Sequence, residues 1–158
     1  MQTITPFLWF DGKLEDAIEF YKTVFSDVEI SDISRYGEGG PYPSGTAMSA
    51  TFKVNNQHFM ALNAGPQFKF SEAISFFVSC EDQEEVDNLW DKLTADGGEE
   101  GRCGWLKDKF GLSWQIIPTA LGSFLGDQDP KKSQAALGAM MQMNKIDISA
   151  LQAARDNA

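Results

Sequence analysis

Residues 103–118 read CGWLKDKFGLSWQIIP, and the rest of the chain is organised around them. Residues 102–106 and 113–118 are β-favouring runs on either side of Asp108-Lys109-Phe110-Gly111, with Gly111 where a tight turn needs positive φ. The pattern predicts a hairpin. In its returning strand Ser113, Gln115 and Ile117 share one face, and Trp114 and Ile116 share the other. Gln115 is therefore an amide in an apolar strand, and it must find hydrogen-bond partners in the core or in a ligand.

Working backwards from the hairpin, residues 73–80 read as a strand and 83–96 as a helix. Asp82 and Glu85 form a capping-box pattern, and Gly97-Gly98 closes the helix. Its apolar stripe is Val86, Leu89, Trp90 and Leu93. Moved back by 69 positions, these become Ala17, Phe20, Tyr21 and Val24, again all apolar. The same shift lays Pro6 beside Ser75. Residues 4–10, 28–36, 46–54 and 57–63 read as strands and 13–25 as a helix, with Asn55-Asn56 a two-residue hairpin turn. The chain thus reads as two copies of strand–helix–strand–strand–strand, residues 1–65 and 72–118. Residues 37–45, GEGGPYPSG, lead into no helix and are expected to be a mobile loop or lid rather than a phosphate cradle.

Past Pro118 the repeat stops. Residues 119–158 are expected to form a helical extension, with helices at 131–143 and 148–154, the first opened by Asp129-Pro130. Leu137, Met140, Met141, Ile148 and Leu151 are too apolar to stay wet. They are expected to pack on the protein's own body or on a second copy, making a homodimer.

Composition narrows the function classes. An apolar content of 42%, with twelve Phe and four Trp among 158 residues, indicates a globular chain with a real core. The net charge of −10 disfavours nucleic acid and anionic membranes as partners. Nine acids fall within residues 81–100, the pattern of a solvated helix face. No run reaches membrane-spanning length and the opening residues lack a targeting pattern, so a cytoplasmic location is expected. Cys80 and Cys103 fit neither a disulfide framework nor a metal motif and read as core thiols. The single histidine, His58, leaves no catalytic triad to build.

Four stretches carry a resemblance: TPFLWFDGKLEDAIEFYKTVF from Thr5, HFMALNAGPQFKFSEAISFFVSC from His58, CGWLKDKFGLSWQIIPTAL from Cys103 and MNKIDISALQAA from Met143. Together they resemble the PhnB-like branch of the vicinal-oxygen-chelate superfamily, often labelled 3-demethylubiquinone-9 3-methyltransferase. That superfamily includes glyoxalase I, extradiol dioxygenases and bleomycin-resistance proteins. The resemblance implies an α+β fold in which two βαβββ modules, within residues 1–118, form half-open cups around a pocket. Metal-using members place ligands at positions that fall here on Pro6, Met60, Ser75 and Gln115. An imino acid, a thioether, a hydroxyl and an amide are a poor donor set for zinc or a hard cation, so no metal is expected. No glycine-rich strand-to-helix loop suits S-adenosylmethionine, and no cofactor is expected. The expectation is a small-molecule pocket lined by Gln115, Met60, Ser75, Phe77 and Trp105, with His58 within reach. The competing readings are a metal-dependent lyase, isomerase or dioxygenase, and a partner-binding scaffold using the methionine-rich tail.

Overall fold

The computed structural model describes residues 1–158 and divides into two compact units, Met1–Phe70 and Ser71–Ala158. In the first unit β1 (Phe7–Phe10) leads through α1 (Leu14–Val24) to β2 (Val28–Arg35), β3 (Ala47–Val54) and β4 (Gln57–Asn63). The sheet order is β1-β4-β3-β2, with β1 parallel to β4 and the other pairs antiparallel. Strand alternation sends Leu8, Phe10, Phe52, Phe59 and Ala61 under α1, whose Leu14, Ala17, Ile18, Tyr21 and Val24 are buried in return. The Asn55-Asn56 turn forms as expected, with Asn55 at φ 50°.

Lys13 offers α1 no side-chain cap. Asn63, at the end of β4, supplies one from a distance. Its Oδ1 accepts from Leu14 N at 3.1 Å, while its Nδ2 donates to Ala47 O at 2.8 Å. Two tyrosines fasten the 37–45 loop, one just before it and one within it. The Tyr36 hydroxyl donates to Asn63 O at 2.6 Å and the Tyr42 hydroxyl to Asp11 Oδ1 at 2.7 Å.

The second unit repeats the plan, its last three strands shorter than their counterparts. Its elements are β5 (Phe76–Cys80), α2 (Gln83–Thr94), β6 (Glu99–Glu100), β7 (Trp105–Lys107) and β8 (Ser113–Pro118), with the strands in the order β5-β8-β7-β6. Asp82 Oδ1 caps α2 through Glu85 N at 2.9 Å, and Glu85 Oε2 reaches back to Glu81 N at 2.7 Å. The first arm of the hairpin starts later than its β-propensity suggests. Cys103 at φ 57° and Gly104 at φ 84° cannot lie in a strand, and residues 101–104 turn instead. The turn itself follows the sequence reading: Gly111, at φ 87°, donates its N–H to Asp108 O at 2.9 Å.

Asp108 is the residue that the pattern did not mark. Only 2% exposed, its carboxylate accepts from Phe110 N, Leu112 N and the indole of Trp114 at 2.9–3.1 Å. Charge-assisted bonds of this kind are about twice as strong as neutral ones, and they lock both the turn and the strand that leaves it.

The tail completes the second unit through α3 (Leu121–Leu125), α4 (Pro130–Met140) and α5 (Ile148–Asp156). Ile117, Leu121, Phe124, Ala136, Ile146 and Leu151 form its core, with Met140 and Ile148 packed against it. Leu137 and Met141 stay exposed. The acids of residues 81–100 are only partly a solvated face. Asp87 pairs with Lys145 at 2.9 Å, and Glu100 Oε2 accepts from Asn144 Nδ2 at 3.3 Å, so α2 and β6 help to hold the tail.

Candidate functional site

Strand register places three of the expected site residues in one row. Phe77 of β5 lies opposite Gln115 of β8, which lies opposite Trp105 of β7. Residues in register on neighbouring strands present their side chains on the same face. The helix α2 packs on the other face, where Trp114, Ile116 and Leu106 are buried. Phe77 is consequently 60% exposed. Gln115 Nε2 donates to Ser75 Oγ at 2.9 Å, which brings the fourth residue, Ser75, to the same place.

One row further along lie Ser113, Lys107 and Glu99. Here the open face deepens into a cavity of about 530 Å³, walled by Glu72, Glu99, Arg102, Trp105, Lys107 and Ser113, among others. That volume is in the range of small-molecule sites. Lys107 Nζ is held between Glu72 and Glu99, at 3.9 Å from the second. The pair with Glu72 raises the Lys107 pKa, and its ammonium lowers that of Glu72 in return. Ser113, 1% exposed, is on the floor, and its Oγ is the one buried side-chain polar atom of the protein without a hydrogen-bond partner.

Met60 and His58 belong to the first unit. Met60, 38% exposed, is in register with Phe7 on β1 and Thr51 on β3, on the face that α1 does not cover. His58 is exposed near the hairpin turn and in register with Lys53, which pairs with Asp27 and Glu29 at 3.3 and 3.5 Å.

The two cysteines differ from each other. Cys80 is fully buried, and desolvation, followed by the Glu85 and Asp82 carboxylates, pushes its thiol up to about 11. Cys103, read from the sequence as a core thiol, is only half-buried and lines the cavity. Its positive φ turns it out of the strand, and its Sγ points at Met140 O, 3.6 Å away. Sequence reasoning missed Lys107, Arg102 and Ser113 as cavity residues. The alternation that placed Gln115 on this face also places Ser113 there, so that one signal was present.

Two units of βαβββ topology, each a four-stranded mixed sheet with a helix on one face, are the α+β glyoxalase/bleomycin resistance architecture of the vicinal-oxygen-chelate superfamily. The chain belongs to the family described as 3-demethylubiquinone-9 3-methyltransferase, whose model matches residues 2–117. Among solved structures it is similar to the PhnB protein from Bacillus cereus, at 41% identity over 75% of this chain and all of that one, with a TM-score of 0.68. A Pseudomonas aeruginosa protein shares the fold at 21% identity and a TM-score of 0.59, over 75% of this chain and 98% of its own. So does FosX, a fosfomycin resistance protein from Listeria monocytogenes, at 12% identity and a TM-score of 0.53, over 75% and 93%. The curated proteins give no match.

Of the four positions that the resemblance aligns with metal ligands, Pro6, Met60, Ser75 and Gln115, the last two bond to each other. No three His, Cys, Asp or Glu side chains cluster so as to hold a metal. These donors do not fit a divalent cation. The strand-to-helix connections are Asp11-Gly12-Lys13, Glu81-Asp82 and Thr119-Ala120, none of them a glycine-rich nucleotide loop, so they do not fit S-adenosylmethionine bound in the usual way. No helix is long and apolar enough to cross a membrane.

Proposed function

We propose that this chain binds a small molecule on the open sheet face of its second unit, in the cavity beside β6, β7 and β8. The observation that carries this reading is the position of Trp105. It belongs to the Phe77–Gln115–Trp105 row and also to the cavity wall, so one half-exposed ring joins the polar handle Gln115 to a concave space. Aromatic walls with a few fixed polar groups are what small-ligand sites are made of. Met60 and His58 lie on the open face of the first unit and are proposed as contacts for a ligand bound on that face.

The test is a thermal-shift screen of extensively dialysed protein against small acids, amines, alcohols and aromatic compounds. A bound ligand raises the melting temperature by mass action. The expected result is at least one saturable shift that Trp105→Ala and Gln115→Leu both reduce. A screen without any shift, or shifts indifferent to both substitutions, would overturn the reading.

The protein is further proposed to act as a cytoplasmic homodimer. Exposed Phe7, Met60 and Phe68 in the first unit, and Ile74 and Phe77 in the second, support pairing, because large apolar side chains left in water favour burial against a partner. Light scattering at micromolar concentration is expected to give twice the chain mass; a monomer would remove the claim.

A further inference from the structure

The polar groups around the second-unit cavity divide by type. Its acids are engaged. Glu72 and Glu99 hold Lys107, and Glu100 accepts from Trp90 Nε1 at 2.8 Å and Asn144 Nδ2 at 3.3 Å. Two hydrogen-bond donors are left over. The Arg102 guanidinium is exposed and has no hydrogen bond or ion pair, and the indole N–H of Trp105 has no acceptor. In the neighbouring row, opposite Lys107, the buried Ser113 hydroxyl also lacks a partner. A buried hydroxyl left unpaired is unfavourable, and it is relieved when a ligand atom reaches it.

Arg102 is mounted on a rigid turn. Cys103 N donates to Met143 O at 2.8 Å and Gly104 N to Asn144 O at 2.7 Å, so the tail holds the turn from one side. From the other side Gly104 abuts β8 so closely that an added Cβ would lie 2.6 Å from Ile117 Cδ1 and 3.0 Å from Ile116 O. Gly101 is pinned in the same way by Trp105 O, 2.8 Å from where its Cβ would be. The guanidinium is thus presented from fixed backbone at the rim of a cavity that contains an aromatic ring.

We infer that the ligand of this cavity is a small monocarboxylic acid with an apolar or aromatic body. Its carboxylate meets Arg102 and its body lies against Trp105. The planar fork of a guanidinium matches a carboxylate with two parallel bonds. A phosphate or phosphonate would bring nearly two negative charges among three carboxylates, with Lys107 already shared between two of them. An amine would find its natural partners occupied and a free guanidinium nearby. The assignment rests on the small-molecule reading above and narrows it to one chemical class.

Four matched probes decide it: phenylacetate, benzylphosphonate, phenethylamine and 2-phenylethanol, each titrated at millimolar concentration by ligand-observed NMR with the full chain. Phenylacetate is expected to bind saturably and more tightly than the other three. Arg102→Ala removes an exposed side chain without partners and leaves the fold intact. It is expected to weaken phenylacetate about tenfold or more, as the loss of a charge-assisted pair does, with little effect on the alcohol. Trp105→Ala is expected to weaken all four. If the amine, the alcohol or the phosphonate binds best through Trp105, the small-molecule reading stands and the carboxylate assignment falls. Phenylacetate binding that Arg102→Ala does not change also overturns it. If no probe binds, the carboxylate assignment falls and the broader screen judges the reading beneath it.

Discussion

Gln115 Nε2 donates to Ser75 Oγ across 40 residues of sequence, at 2.9 Å, on the face of the second sheet that carries no helix. The resemblance aligns both residues with metal-ligand positions, and here they bond to each other. The bond also explains how an amide is accommodated in an otherwise apolar strand. Its partner is a half-buried hydroxyl.

Replacing Gln115 by Leu is therefore expected to change stability by no more than about 1 kcal/mol, because a half-exposed neutral hydrogen bond contributes little net. Urea denaturation measures this. Ligand binding in the same variant is expected to drop. A stability loss above about 2 kcal/mol would mark Gln115 as a structural residue instead.

Asp108→Ala is expected to be far more damaging, by about 3 kcal/mol or more, since it leaves two backbone N–H groups and an indole N–H without their acceptor. Asp108→Asn keeps one acceptor oxygen and should cost less. Equal losses in the two variants, read from urea midpoints at unchanged slope, would contradict the hub role of the carboxylate.

Cys80 gives a pH dependence with a definite sign. Its folded-state pKa of about 11 is above the ordinary value of 9.0, so the folded state holds the proton longer than the unfolded chain does. Its contribution is complete below pH 9.0 and is lost between there and about 11. Native protein at pH 8 should react with a thiol reagent at Cys103 well before Cys80. A Cys80→Ala variant should show a shallower fall in stability through that alkaline window.

The tail is part of the second unit's core, and Ile146 tests this. It is fully buried, and its carbonyl accepts from Gln83 Nε2 at 2.9 Å. Ile146→Ala is expected to cost about 2–5 kcal/mol, as large-to-small core substitutions do. A loss below about 1 kcal/mol in chemical denaturation would show the tail to be only loosely attached.

Much of this was legible in the chain itself. Period-3.6 stripes at Ala17–Val24 and Val86–Leu93, flanked by β-favouring runs, marked two βαβββ copies, because a helix or strand that covers a core must repeat its apolar residues at its own period. Alternation also placed Gln115 opposite Trp114, and the Asp108–Gly111 turn followed from local chemistry alone. Local pattern cannot name a partner distant in sequence, however, and several features that pattern missed depend on one. Asn63 caps α1 from 49 residues away, Ser75 meets Gln115, and the carbonyls of Met143 and Asn144 capture the turn at Cys103 and Gly104. That capture overrode the β-propensity of residues 102–104, since two backbone bonds and a positive φ outweigh a weak local preference. The same long-range contacts decided which polar groups around the cavity are engaged and which are free. Hydrogen-bond partnership is a property of the folded neighbourhood, and periodicity in the chain has no means of encoding it.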